Sequence, residues 1–436
     1  MFSVVSFLII LAFFIGGDML EIAFVRENIE LVKKAIKNKG ENVDITSLLE
    51  FDTQRRGLIQ KRDEKRRERK EISGRIGELK REGRNTNAEE NKAGKIAEEI
   101  KRIDKKLSEI EKNLYEILIQ IPNVPHPSVP VEGDKIIIRE WGKKREFDFE
   151  PLSYLDLANA ISLLDLKRGV KVASSSFPSY KGDGARLERA LINFMLDTHT
   201  SRGYTEVFTP FLVNRESMFG TGQLPKLEED MYRIEKDDFF LNPTAEVPIT
   251  NLHKNETIPG RKLPIKYVGY TACFRREAGS YGRETKGLIR VHQFNKVELV
   301  KFVLPDGSYN ELETLLQDAE IILKLLEIPY RVRLLPVNDM SFASAKTYDI
   351  EVWAPVLKRW LEVSSISNFE DFQARRANIR FRDGKTSGYV HTLNGSGLAL
   401  PRLFIALLEN YEQKDGSVRI PDKLVPYMGK EMIDNR

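Results

Sequence analysis

The sequence predicts an α+β protein in which a long antiparallel helical hairpin precedes a sheet-bearing body. Three observations carry that expectation. Ile96, Ile100, Ile103, Leu107, Ile110, Leu114, Ile117 and Ile121 recur at alternating spacings of four and three, the seam of a coiled coil. Two β-branched and aromatic runs, VGYTACF ending at Phe274 and VHQFNKVELVKF beginning at Val291, flank a polar, glycine-rich, basic loop at residues 278–290. That pattern is strand, long loop, strand. Between hairpin and body, residues 121–134 hold four prolines, which end the helical pattern. A chain of 436 residues with 41% hydrophobic and 31% charged residues suits two or three soluble domains. The expected division is an apolar extension at 1–18, a helical hairpin domain at 19–124 and the body at 125–436.

The chain opens on an almost wholly apolar run, residues 2–15, and its first positive charge is Arg26. A secretory signal needs a basic start and a small-residue cleavage site, and a membrane span needs about 20 apolar residues. The run meets neither requirement. The expectation is that translation starts at Met19, that residues 1–18 are absent from the native protein or disordered if made, and that the protein is cytoplasmic with no stable membrane association. A membrane anchor is the alternative.

Residues 44–121 predict two long helices joined by the turn residues GRNTN at 83–87. An arm of roughly 33 residues extends about 50 Å, beyond any domain core. The first arm keeps the register of the second through Phe51, Arg55, Leu58, Arg62, Lys65, Arg69, Ile72, Ile76 and Leu79. Its middle seam positions are basic, so those side chains must snorkel or face a partner. Residues 55–84 hold 13 Lys or Arg against 6 Asp or Glu, a net of +7 in a chain whose total is +4. Such an arm attracts phosphate backbones, and salt weakens the attraction. A solvated charged helix is the blander reading of the same run.

In the body, residues 184–200 predict an amphipathic helix and 204–210 a strand. Leu187, Leu191 and Phe194 form an apolar stripe that one subunit is not expected to cover alone. The single cysteine, Cys273, excludes a disulfide within the chain and a Cys-rich zinc site, and fits a reducing compartment. Its mid-strand position suits a small buried hydrophobe. There is no phosphate-binding Gly-rich loop: GKT at 384–386 has Ile379 where the upstream Gly belongs, and GSGLAL at 395–400 has Leu400 in place of the third Gly. A nucleotide must then be held by side chains, and arginine offers planar bidentate donors to phosphate. The paired strands of residues 268–302 hold Arg275, Glu277, Phe294 and Glu298 on one face, which supplies a phosphate clamp, carboxylates and an aromatic surface.

The stretch FRREAGSYGRETKGLIRVHQFNKVE, residues 274–298, resembles motif 2 of class II aminoacyl-tRNA synthetases, in the form carried by bacterial-type seryl-tRNA synthetases. TEVFTPFLVNRESMFGTGQLPK at 205–226 is similar to the motif 1 region of that family, and HTLNGSGLALPRLFIALLEN at 391–410 to its motif 3. NPTAEVPITNL at 242–252 and LEVSSISNFEDFQARRANIRFR at 361–382 resemble its serine- and ATP-site segments. The blocks occur in the family's order, and the resemblance covers nearly all of residues 19–427.

The resemblance implies a class II antiparallel-sheet catalytic domain behind a tRNA-binding hairpin. It implies activation of L-serine with ATP to seryl-adenylate and transfer to tRNA(Ser), with tRNA(Sec) as a further substrate. It also implies a homodimer formed through the motif 1 helix and strand. Arg275 is expected on the α-phosphate and the serine carboxylate, Glu277 on the adenine edge, and Phe294 and Arg402 on the two adenine faces, with Arg402 reaching the γ-phosphate. Arg276, Val363 and Ser364 complete the ATP set. Glu362 and Ser365 are the expected Mg2+ and phosphate ligands; a buried salt bridge is the alternative for Glu362. Thr244, Ala245, Glu246, Glu298 and Ser396, with Arg275, make the expected serine pocket. Arg55, Arg62, Lys65 and Arg69 are the expected tRNA contacts. No zinc is expected. His292 and His391 flank the motifs and are expected to be structural, because attack by a carboxylate needs no general base.

Pro401 stands where the family commonly has Gly, Ile366 where it commonly has Cys, and SYLDLANA at 153–160 departs from the usual segment there. The last departure puts local packing, or a contact with the neighbouring subunit, in question. Two other classes compete. An amino acid–carrier protein ligase would share the body but lack the hairpin and use zinc. A non-catalytic RNA-binding relative would have lost Arg275, Glu298 or Arg402, and all three are present.

Overall fold

The computed structural model describes residues 20–278 and 287–434. The apolar extension and most of the glycine-rich loop lie outside the described residues. The chain divides into two compact units, one of Met19–Pro122 and one containing Asn123–Arg436.

The first unit is dominated by helices α1 (Ile45–Arg81) and α2 (Asn87–Leu118). Asp44 caps α1 by accepting from the Ser47 N–H at 3.0 Å, satisfying one of the helix's unpaired donors. Near the tip the seam is apolar, with Ile72, Ile96 and Ile100 buried together. In its middle the basic positions meet acidic ones across the hairpin: Arg55 with Glu111 at 3.1 Å, Arg62 with Asp104 at 3.8 Å and Lys65 with Glu99 at 3.0 Å. Those three proposed tRNA contacts are thus engaged between the arms, because seam register points them at α2. Arg69 is exposed. Partly exposed pairs of this kind are worth roughly 0–1 kcal/mol each, so the middle of the hairpin is held less firmly than its tip.

The second unit is built on an eight-stranded sheet. Its strands are β1 (Ile136–Trp141), β2 (Thr205–Val207), β3 (Ile265–Phe274), β4 (Gln293–Val303), β5 (Tyr330–Leu334), β6 (Lys346–Ala354), β7 (Arg359–Asn368) and β8 (His391–Ala399). The spatial order is β1-β5-β6-β7-β8-β4-β3-β2. Every neighbouring pair is antiparallel except β2 with β3. Helices α3 (Asp183–Ser201), α4 (Ser308–Leu325) and α5 (Leu400–Tyr411) share one core with Val297, Leu299, Ile350 and Leu398 of the sheet. Side chains alternate along a strand, so Phe294, Lys296 and Glu298 of β4 share the face opposite to Val297 and Leu299.

Three expectations change here. Leu187, Leu191 and Phe194 are buried within their own chain, because α3 lies in the core. They are not an uncovered stripe. The strand expected at 204–210 is shorter, Thr205–Val207, since Pro210 cannot extend a ladder. The spacing of Leu403, Phe404, Leu407 and Leu408 predicts an amphipathic helix after Pro401 with one buried stripe, yet from Leu400 to Asn410 only Arg402 escapes burial, as suits a helix enclosed on all sides.

The segment at 153–160 forms a helix over Tyr154–Ala160 capped by Ser153. Tyr154, Leu157 and Ala158 enter the core, and the Tyr154 hydroxyl accepts from the Leu288 N–H at 3.1 Å. Local packing is therefore intact, and this segment anchors the end of the glycine-rich loop. Cys273 is fully buried, and burial pushes its thiol pKa up. Among the described residues, no helix is long and apolar enough to cross a membrane.

Candidate active site

Two β-bulges shape the site face. Ile350 and Glu351 of β6 oppose Ser364 and Glu362 of β7, which leaves Val363 as an extra residue. Ser396 and Leu398 of β8 oppose Glu298 and Val297, which leaves Gly397 extra. A bulge re-aims the side chains beside it. Here it presents Glu362 and Ser365 to the face that carries Phe294 and Glu298. A Cβ on Gly397 would lie 3.1 Å from Val297 and 3.2 Å from the His199 ring, so the second bulge favours glycine.

Two adjoining compartments open on this face. The first is walled by Arg275, Glu277, Phe294, Glu362, Ser365 and Arg402. The second is walled by Thr244, Glu246, Asn394, Gln223 and Phe342. Arg275, Glu277, Arg290, Lys296 and Ser365 border both.

Arg275 follows β3 directly. Its guanidinium lies 5.3 Å from the Phe294 ring centre and donates through Nε to the Pro243 carbonyl at 3.0 Å. Its own carbonyl meets His292 Nδ1 at 3.0 Å, which makes His292 a backbone clamp. His391 bonds Ser308 Oγ at 2.9 Å, away from both compartments. Glu277 holds φ 52°, a left-handed conformation costly for a glutamate. One of its oxygens accepts from Arg290 at 2.7 Å. Arg402 donates to the Glu362 carbonyl at 2.9 Å and approaches the Glu362 carboxylate at 4.0 Å.

Ser365 donates its hydroxyl proton to Asp349 at 2.6 Å, and Lys135 holds the other Asp349 oxygen at 2.7 Å. Burial pushes the Asp349 carboxyl pKa up, and the Lys135 ammonium opposes that shift. With its proton committed to Asp349, Ser365 presents lone pairs to the cleft, 3.4 Å from Glu362 Oε1. A carboxylate and a hydroxyl side by side are the hard oxygen donors that Mg2+ prefers, so these residues fit that ion.

Glu298, expected in the serine pocket, lines neither compartment; it lies fully buried behind Thr244 and Lys296 of the second. Its Oε2 accepts from Thr244 at 3.1 Å and pairs with Lys296 at 2.5 Å, while its buried Oε1 has no hydrogen-bond partner. Lys296 also donates to Thr244 Oγ1 at 3.0 Å. Glu246 accepts from Gln373 at 2.6 Å, and Thr392 fixes Gln373 from behind at 2.7 Å. Burial, with the nearby Glu298 charge, pushes the Glu246 carboxyl up to about 7.

Of the expected site residues, Arg275, Glu277, Phe294, Glu362, Val363, Ser364, Ser365, Ser396 and Arg402 line the first compartment, and Thr244 and Glu246 the second. Besides Glu298, two, Ala245 and Arg276, lie outside both compartments, and Ser364 lines the first with its hydroxyl engaged elsewhere. Ala245 is buried with Ile249, Ile258 and Val300, because the chain enters a short helix at Glu246 and turns that methyl into the core. Arg276 turns to the Met231 carbonyl at 3.0 Å and stacks over Tyr232, since alternation past β3 sends it opposite to Arg275. The Ser364 hydroxyl donates to the Ser396 carbonyl at 2.8 Å and ties β7 to β8.

Sequence reasoning missed Lys296, Arg290, Gln373, Asn394, Asp349 and Lys135. The first four lie inside the motif segments quoted above, so their neighbourhood was visible though their roles were not. Lys135 and Asp349 carry no local pattern and meet only in the fold.

A profile of the seryl-tRNA synthetase N-terminal domain matches residues 19–125, and one of the tRNA synthetase class II core domain (G, H, P, S and T) matches residues 228–411. A serine–tRNA ligase of Thermodesulfovibrio yellowstonii is 52% identical over 423 residues, covering 95% of this chain and 100% of the relative. The crystal structure of seryl-tRNA synthetase from Pyrococcus horikoshii complexed with ATP is 36% identical, with a TM-score of 0.89 over 95% of this chain and 99% of that one. A cytoplasmic serine–tRNA ligase from Naegleria fowleri, in complex with AMP, is 28% identical, with a TM-score of 0.85 over 96% of this chain and 99% of that one.

Proposed function

The chain belongs to the seryl-tRNA synthetase family, and from that premise we propose that its two adjoining compartments hold ATP and L-serine side by side. The activity is that of a serine–tRNA ligase, which joins serine to ATP with release of pyrophosphate and passes the seryl group to tRNA(Ser). The supporting observation is Arg275, which borders both compartments. A guanidinium at that junction can neutralise the serine carboxylate and the α-phosphate together. As the carboxylate oxygen attacks phosphorus, the bond to pyrophosphate breaks and negative charge grows on the phosphoryl oxygens. Fixed donors at that point lower the barrier without a general base.

Phe294 offers the adenine ring a face, and Arg402 closes on it from β8's side of the cleft. Glu277, held by Arg290 at the mouth of the first compartment, turns its carboxylate to the adenine amine. Glu362 and Ser365 would hold Mg2+, whose chemistry is to neutralise the phosphates and orient pyrophosphate for departure. Thr244, Glu246 and the Glu298 behind them bind the serine ammonium and hydroxyl, and Ser396 approaches the serine from the first compartment. Serine should therefore be activated about 10,000-fold better than alanine, whose entry leaves these buried polar groups unpaired. ATP–pyrophosphate exchange run with each amino acid tests this. Equal rates with alanine would remove the pocket assignment.

The hairpin domain, residues 19–124, takes the tRNA, and the body, residues 125–436, performs the chemistry. Because Arg55, Arg62 and Lys65 are paired across the arms, the phosphates first meet exposed Arg67, Arg69 and Lys70. Both tRNA(Ser) and tRNA(Sec) suit recognition by shape along a helical arm. A cytoplasmic setting fits the single buried thiol and the tRNA substrate. The enzyme is a homodimer. Phe208 supports this, being 80% exposed beside Arg189, Ile192, Val207 and Tyr270 in a groove along α3 and β2. Light scattering at micromolar concentration should return twice the chain mass, and a monomer would refute the dimer.

A further inference from the structure

Lys296 has no role in the reading above, yet it occupies a decisive place. Its ammonium lies between Glu298 Oε2, at 2.5 Å, and Thr244 Oγ1, at 3.0 Å. These are the acceptors that a serine ammonium needs. Its side chain is almost wholly enclosed, and it borders the nucleotide compartment as well as the serine compartment. Lysine suits movement between two such stations, because it carries a point charge on a flexible stem of four carbons.

We infer that Lys296 is a catalytic residue that exchanges partners: the incoming serine ammonium takes over Glu298 and Thr244, and the released Lys296 ammonium moves to the serine carboxylate and the α-phosphate beside Arg275. The inference rests on the serine-activating reading. The local charge balance supports it. Before serine arrives, Glu298 is balanced by Lys296. A zwitterionic serine brings a second ammonium to the same carboxylate, and like charges repel at that range. The same zwitterion brings a carboxylate that needs a cation, and movement of Lys296 relieves both demands at once. No bond of Lys296 forms or breaks, and no proton leaves it. The exchange makes the phosphate end of the site more cationic only when serine is bound, so serine and ATP should strengthen each other's binding. Such coupling is reciprocal.

The test measures serine binding by calorimetry, with and without α,β-methylene-ATP and Mg2+, for the wild-type enzyme and Lys296→Met. In the wild type the analogue should tighten serine binding about 5–150-fold. In Lys296→Met the coupling should vanish, while serine alone binds as well as or better than to the wild type, because no lysine competes for Glu298. Serine-dependent exchange should fall by about 100-fold through kcat, the cost of losing one donor from a developing charge. A lysine that only shapes the pocket would lose serine binding and exchange together, and that result overturns the inference. So does a wild type without coupling. If thermal unfolding shows that Lys296→Met does not fold, Lys296→Gln is held to the same criteria. Absence of serine-dependent exchange in the wild type would instead overturn the ligase reading itself.

Discussion

Replacing Arg275 with alanine should lower serine-dependent ATP–pyrophosphate exchange by about 1,000-fold or more while leaving the protein folded. Loss of one fixed donor to a developing oxyanion costs about 100–1,000-fold. Arg275 serves two charges, the serine carboxylate and the α-phosphate, so the upper end is expected. The stability cost is small by comparison. The side chain is half-buried, its hydrogen bond to the Pro243 carbonyl is a single one, and such a bond is worth about 1 kcal/mol. Calorimetric unfolding separates the two effects. Exchange within tenfold of the wild type, in a folded variant, would remove Arg275 from the reaction.

Removing residues 54–112 and closing the chain with a short glycine-rich turn should abolish tRNA charging and spare adenylate formation. The cut keeps the apolar base of the hairpin, where Leu48, Leu114 and Leu118 are buried, and Arg55 meets Glu111 just beyond it, so the ends to be joined are neighbours. Every residue of the two compartments belongs to the other compact unit. Pyrophosphate exchange should therefore persist near the wild-type rate, while seryl-tRNA formation falls below detection. For the intact enzyme, tRNA binding should weaken with salt by about 0.9 in log–log slope for each phosphate contacted on duplex. A folded deletion variant that loses exchange would show that the hairpin supports the first step as well.

The α+β architecture was legible because its carriers are periodic. The 4–3 spacing from Ile96 to Ile121 specifies a helix with one seam, and that seam is apolar where Ile72, Ile96 and Ile100 meet. The runs either side of the glycine-rich loop specify two strands, and β3 and β4 pair in register from Ile265 opposite Phe302 to Phe274 opposite Gln293. Alternation then places Phe294, Lys296 and Glu298 on one face without further information. Lys296 lies in the same pattern, but a lysine two residues from a glutamate is ordinarily a surface pair, so sequence alone assigns it no role.

Burial and long-range partners were not legible. Leu187, Leu191 and Phe194 have the spacing of an exposed stripe and of a core stripe alike, and only the sheet beneath α3 decides between them. Ala245 and Arg276 sit inside matching segments, yet backbone direction turns their side chains away. Sequence by itself determined the family, the hairpin and the strands that carry the reacting groups, since these depend on local periodicity and on contiguous motifs. Tertiary structure alone decided that Lys135 and Asp349 orient Ser365, that Gln373 and Thr392 hold Glu246, and that Lys296 stands where the substrate ammonium must go. Those contacts join residues far apart in the chain, except for Lys296 and Glu298. Even that pair acquires its meaning from a buried carboxylate with one oxygen engaged and the other without a hydrogen-bond partner, a condition set by packing rather than by sequence.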